Sequence, residues 1–128
     1  MAEVFAQHPV PDTGDLRRDL EAYLGQLSTV LSSPRGREVI GALVTEASSN
    51  EVLMEAFRKK VAGPRRQELI ARLQRAPELL GADPSAAVDQ LVGPIYYRSL
   101  IAGLPLDKAF VRSVVSIVMT PALPARKP

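Results

Sequence analysis

One histidine, no cysteine and three tyrosines set narrow limits on the chemistry of this 128-residue chain. His8 stands in the proline-rich stretch His8-Pro-Val-Pro11. With that one imidazole in a proline-rich stretch and no thiolate, a histidine-based zinc site, a Ser-His-Asp triad and a His general base have almost no material. No nucleophile elbow, phosphate-binding glycine loop or dinucleotide fingerprint is present. The reading is therefore of a non-enzyme without metal or cofactor. Asp12, Asp15 and Asp19 make a carboxylate cluster, but they lack the dense oxygen-ligand spacing of a calcium loop. They read instead as favourable charges at a positive helix start on a solvated face. What the residue types do allow is an apolar pocket between helices. Its candidate liners are the aromatics Tyr23, Phe57, Tyr96 and Tyr97 with the aliphatics Leu27, Val44 and Leu91. The competing reading of each is an ordinary core side chain on a helix stripe.

A second group with chemical potential is the basic run Arg58, Lys59, Lys60, Arg65, Arg66, Arg72 and Arg75, opposed within that stretch by Glu68 alone. It contains no aromatic residue for stacking on bases and no glycine-rich loop, so a solvated helix face is preferred over a nucleic-acid patch. Glu55 with Lys59, and Glu68 with Arg72, have the spacing of stabilising i,i+4 pairs.

The elements that must position these groups are all helical. Asp12-Thr-Gly-Asp15 opens a first helix running to about Leu31, with Leu16, Leu20, Tyr23, Leu24, Leu27, Val30 and Leu31 spaced by threes and fours. Ser33 caps a second helix that starts at Pro34 and buries Val39, Ile40, Leu43 and Val44. Asn50 caps a third, which Gly63-Pro64 must kink or interrupt before the pattern resumes at Leu69 and ends near Pro77. Asp83 and Pro84 start a fourth helix ending at Gly103, and a fifth runs from about Leu106 to Met119. Val111–Val118 is β-branched enough to pass for a buried strand, but the chain offers no strand to pair with it, so helix is preferred.

The last two helices are too apolar for an ordinary surface. Between Ala86 and Ala102 the charges are Asp89 and Arg98, and between Ala109 and Met119 there is only Arg112. Val88, Leu91, Val92 and Ile95 make one face of the fourth helix, while Pro94, Tyr97, Leu100 and Ile101 cover much of another. A helix apolar on two sides is buried twice, and in a domain this small a symmetric partner is the simplest second cover. The alternative is a monomeric bundle with these helices at its centre.

Length and composition agree with one folded domain over residues 12–119, preceded by a stub at 1–11 and followed by a proline-rich flexible tail at 120–128. The net charge of +2 does not demand an acidic partner. No apolar run approaches the roughly 18 residues of a membrane span, and no signal-peptide pattern opens the chain. A cytoplasmic protein without a membrane partner is the expectation.

Taken in order, the segments Asp12-Thr-Gly-Asp-Leu-Arg-Arg-Asp-Leu, Ser-Pro-Arg-Gly-Arg-Glu-Val, Asn-Glu-Val-Leu with Ala-Phe-Arg, Pro64-Arg-Arg, Asp89-Gln-Leu-Val-Gly-Pro-Ile-Tyr-Tyr-Arg98 and Gly103-Leu-Pro-Leu-Asp-Lys-Ala-Phe-Val111 resemble the C-terminal regulatory domain of the tetracycline-repressor (TetR) family of transcriptional regulators. The resemblance spans about Pro11 to Met119. It implies an all-α helical bundle with a central pocket for a small, apolar effector; the family pattern does not fix the pocket residues, for which Tyr23, Leu27, Val44, Phe57, Leu91 and Tyr96 are this sequence's own candidates. It also implies a homodimer through the last two helices, with Pro94, Tyr97, Arg98, Phe110, Val114, Ile117 and Val118 at or near the seam. Family members reach operator DNA through an N-terminal helix-turn-helix domain. Ten residues before the regulatory domain are too few for one, so the chain is expected to be a fragment of a longer regulator, a repressor most often. A stand-alone helical interaction module with no ligand or DNA role is the alternative.

Overall fold

A computed structural model describes residues 9–79 and 81–120, all of whose regular elements are helical. Residues 1–8 of the expected stub at 1–11 and residues 121–128 of the expected tail at 120–128 lie outside the described residues. The architecture is a bundle of α1 (Leu16–Ser32), α2 (Pro34–Glu46), α3 (Glu51–Phe57), α4 (Gly63–Gln74), α5 (Pro84–Tyr96) and α6 (Lys108–Met119). Helix α1 is the core element and packs on α2, α5 and α6. Leu20, Leu24 and Leu31 along it are completely buried, as is Leu91 of α5.

Five of these six helix starts are set by a side chain, and α4, entered through a π-helical turn, has no side-chain cap. The carboxylate of Asp15 accepts from the Arg18 N–H at 3.1 Å, the hydroxyl of Ser33 from Gly36 at 3.0 Å, and the side-chain carbonyl of Asn50 from Leu53 at 3.0 Å. Asp83 accepts from Ser85 at 3.0 Å, and Asp107 from Phe110 at 2.8 Å. These bonds satisfy amide groups that the helix itself leaves open.

The α1–α2 corner is tight. A Cβ on Gly36 would collide with the carbonyl oxygen of Val30 and approach the Ser33 hydroxyl to 2.9 Å. Because backbone on one side and the capping bond on the other cannot yield cheaply, Gly36→Ala should lower stability by about 1–3 kcal/mol. A urea titration of the variant beside the wild type measures it.

Gly63-Pro64 bends the hydrogen-bonding pattern without ending the helix. Residues Arg58–Ala62 form a π-helical turn that joins α3 to α4, and the Gly63 N–H donates to the Arg58 carbonyl five residues back. The wider turn absorbs the bond Pro64 cannot make. It also draws Arg58 O over Gly63, where a Cβ would lie 2.6 Å from that oxygen. Pro94 lies inside α5. A second π-helical turn, Tyr97–Ala102, follows it and closes at Gly103, whose φ of 66° is the expected left-handed cap. The β-branched Val111–Val118 is helix, with Val111, Val114 and Val115 buried.

Two charge assignments from the sequence are corrected. Asp19 is fully buried, not solvated, and Arg72 is buried with it, Nη2 to Oδ2 at 2.7 Å. The Glu68–Arg72 pair gives way to this, and Glu68 instead accepts the Val10 N–H at 2.8 Å. The N–H and hydroxyl of Thr13 also bond Asp19, at 2.9 and 2.7 Å, and Arg75 holds Asp12 at 3.0 Å. The entry segment from Val10 to Asp15 is thus clamped onto α4. Burial alone would push the Asp19 carboxyl up, but the two Thr13 bonds and the Arg72 guanidinium outweigh it and hold the group below its ordinary range.

Candidate functional site

A cavity of about 330 Å³ opens between α1, the α3–π–α4 stretch and α5. Tyr23 and Leu27 come from α1, Phe57 and Val61 from around the π turn, Leu69 from α4, and Val88, Val92 and Tyr96 from α5. The helical period explains the set: Val88, Val92 and Tyr96 are successive i,i+4 positions on one stripe. Volume and lining lie in the range of small-molecule sites, apolar with a few polar groups.

Tyr97, another sequence-derived liner, stands exposed outside this cavity, and of the other six Tyr23, Leu27, Phe57 and Tyr96 meet here. Val44 does not. It points to solvent from α2 at 59% exposure, because Ile40 and Leu43 are the residues of that helix that turn inward. Leu91 is not a liner either. It is completely buried in the core, flanking the Val88–Val92 stripe.

Arg65, Arg66 and Asp89 were hidden from sequence reasoning inside what looked like a solvated basic run and a lone acidic residue. All three line the cavity. Arg65 Nη2 donates to the Tyr23 hydroxyl at 3.2 Å, and its guanidinium carbon stands 5.3 Å from the Tyr23 ring centre. Arg66 pairs with Asp89 at 2.6 Å and also reaches the Ser85 hydroxyl at 2.7 Å. Burial pushes the Tyr96 hydroxyl up to about 12, with the neighbouring Tyr23 adding to the shift. Tyr23 is raised as well, again mainly by burial. Both phenols therefore stay protonated at neutral pH.

A larger groove of about 800 Å³ runs between α1 and α6, rimmed by Arg18, Glu21, Asp107, Lys108 and Arg112. It has no aromatic wall, and the aromatic cavity is the stronger candidate for an apolar ligand.

The opposite side of α5 and its continuation carry a bare apolar face. Tyr97 is 62% exposed, Ile101 70%, and Ile117 of α6 73%, with Leu104 between the helices also exposed. Pro94, Arg98, Phe110 and Val118 are half-buried around it. Arg98 covers Phe110 at 4.2 Å and donates from Nε to the Pro105 carbonyl at 2.8 Å, fastening the link between the helices. Val114 is a correction. It is buried in its own subunit with Val111 and Val115, on the stripe that faces the core, and Ile117 is the residue that α6 presents outward.

Comparison with known proteins matches residues 10–118 to the family model described as "Tetracyclin repressor-like, C-terminal domain". The "Uncharacterized HTH-type transcriptional regulator YdeS" of Bacillus subtilis (strain 168) is 32% identical over 111 residues, which are 84% of this chain and 56% of that protein. The chain thus spans little more than half the length of this curated relative. Among solved structures, the "TetR family transcription regulator SCO0332" superposes with a TM-score of 0.83 at 34% identity, covering 94% of this chain and 69% of the other.

Proposed function

Given that this chain belongs to the tetracycline-repressor family of transcriptional regulators and matches its C-terminal domain, we propose that it is the effector-binding and dimerisation part of such a regulator, acting as a repressor from the cytoplasm. Operator DNA would be reached through a helix-turn-helix domain outside this sequence. The observation that carries the reading is the double use of one helix. Val88, Val92 and Tyr96 of α5 wall the cavity, and the same helix continues into the bare face at Tyr97 and Ile101. An effector in the cavity bears on the helix that a second subunit would cover, so it can bias the arrangement of the two subunits.

A second path leads toward the N-terminal side. Arg65, Arg66 and Leu69 at the start of α4 line the cavity, while Glu68, Arg72 and Arg75 further along hold the segment from Val10 to Asp19. A shift of α4 on binding moves the anchor of whatever precedes Val10. A solid interior would favour the alternative, a helical interaction module without a ligand. The cavity weighs against it.

Operator binding by the full-length regulator is the test. An effector that occupies this cavity should change operator affinity by roughly 5- to 150-fold, the ordinary span of allosteric coupling. Equal operator affinity with and without every cavity ligand would refute the sensing role.

A further inference from the structure

The polar groups around the aromatic cavity are mostly donors. The Tyr23 hydroxyl already accepts from Arg65, which leaves its own proton to give. Tyr96 brings a second hydroxyl, and burial, which makes both phenols harder to ionise, keeps them as O–H donors. Arg65 adds a guanidinium beside Tyr23, donor-only by its nature. The one carboxylate in the lining, Asp89, is engaged by Arg66, whose Nη2 is also bonded to the Ser85 hydroxyl and, at 3.3 Å, the Ser85 carbonyl. The remaining lining side chains are apolar.

Building on the effector-site reading of this cavity, we infer that its ligand is a small organic acid, a carboxylate on an aromatic or aliphatic body, with the carboxylate set between Arg65 and the hydroxyls of Tyr23 and Tyr96. A carboxylate is acceptor-only and meets this donor set fully, and its pairing with a guanidinium is charge-assisted. An ammonium would bring donors against donors. A primary amide would supply one acceptor oxygen and two further donors. Size restricts the body. A cavity of about 150 Å³ holds benzene, so about 330 Å³ takes a body of roughly two rings or a medium-length alkyl chain.

The test is a matched panel: phenylacetate, 2-naphthoate and octanoate, each beside the primary amide and the amine of the same skeleton. Binding is read by thermal shift and by intrinsic tyrosine emission. The chain has no tryptophan, and two of its three tyrosines line the cavity. At least one acid should bind while its amide and amine do not. Arg65→Gln should weaken that acid by roughly tenfold or more. Tyr96→Phe, which keeps the ring and removes only the hydroxyl, should weaken it by a smaller factor, and circular dichroism checks that both variants fold. Amides or amines binding as well as the acids, or acid binding indifferent to both substitutions, would overturn the acid assignment and leave the cavity as an effector site. Failure of every member of the panel would overturn the assignment and remove support from the cavity reading too.

Discussion

Arg72→Ala should destabilise the domain by about 3–5 kcal/mol, the usual consequence of stranding one member of a buried ion pair. The partner left behind is Asp19, which has no solvent exposure at all. Thr13 would still donate two bonds to it, but the guanidinium that supplies opposite charge would be gone. The pH dependence should change sign with it. In the wild type the Asp19 carboxyl titrates below its unfolded value, so its contribution is complete above the unfolded carboxylate range and is lost as pH falls through the lower folded value. In Arg72→Ala only the two Thr13 bonds still oppose burial, and the loss of the guanidinium's bonds and charge raises the carboxyl from its wild-type position. Acidification through the carboxylate range should then recover part of the lost stability, as the buried group takes up a proton. Urea midpoints of both proteins from pH 7 down to pH 3 decide it: parallel falls in the two would show that Arg72 does not set the charge state of Asp19. Replacing the pair together, Asp19→Leu with Arg72→Met, should lose much less than Arg72→Ala, since no charge is then left buried.

The same ion pair marks where the sequence stopped being legible. Asp19 and Arg72 lie 53 positions apart, and each sits among like-charged neighbours that read as solvated. Nothing in either local pattern says that one member of each cluster turns inward. Local signals fared better because their physics is local. The capping residues Ser33, Asn50 and Asp83, the prolines that follow Ser33 and Asp83, and the left-handed Gly103 all act within one helical turn. The all-helical class was visible for the same reason, and so was the placement of Tyr23, Leu27, Phe57 and Tyr96 on inward stripes. Whether an inward residue meets core or cavity depends on which helices splay apart, and that separated Leu91 from Val88 and Val92. The π-helical turns were not foreseen, although the prolines that accompany them were plain. A missing N–H predicts that the ladder must adjust, but it leaves the form of the adjustment to packing.

The outer face of α5 and α6 gives the second large expected effect, a contrast between Ile117 and Val114 on α6. Ile117→Arg should leave the fold intact and convert a dimer into a monomer. The isoleucine is 73% exposed in the single subunit, so an arginine there meets water when the subunit is alone. In a symmetric interface each copy would bring its own charge, and two desolvated guanidinium groups near one axis repel. Val114→Arg should do the opposite. That side chain is 5% exposed within one subunit, packed with Val111 and Val115 against the core. A charge there has no partner, and the variant should unfold or become insoluble whatever the association state of the wild type. Light scattering on a sizing column gives the mass of wild type and Ile117→Arg, and circular dichroism reports the fold of all three. A dimeric wild type with a folded, monomeric Ile117→Arg places the seam on the Tyr97–Ile101–Ile117 face. If the wild type is dimeric and Ile117→Arg stays so, the partner sits elsewhere, and the bare apolar face needs another cover. A monomeric wild type would leave Tyr97, Ile101 and Ile117 in water, and the proposal that this face joins two subunits would fail at its first step.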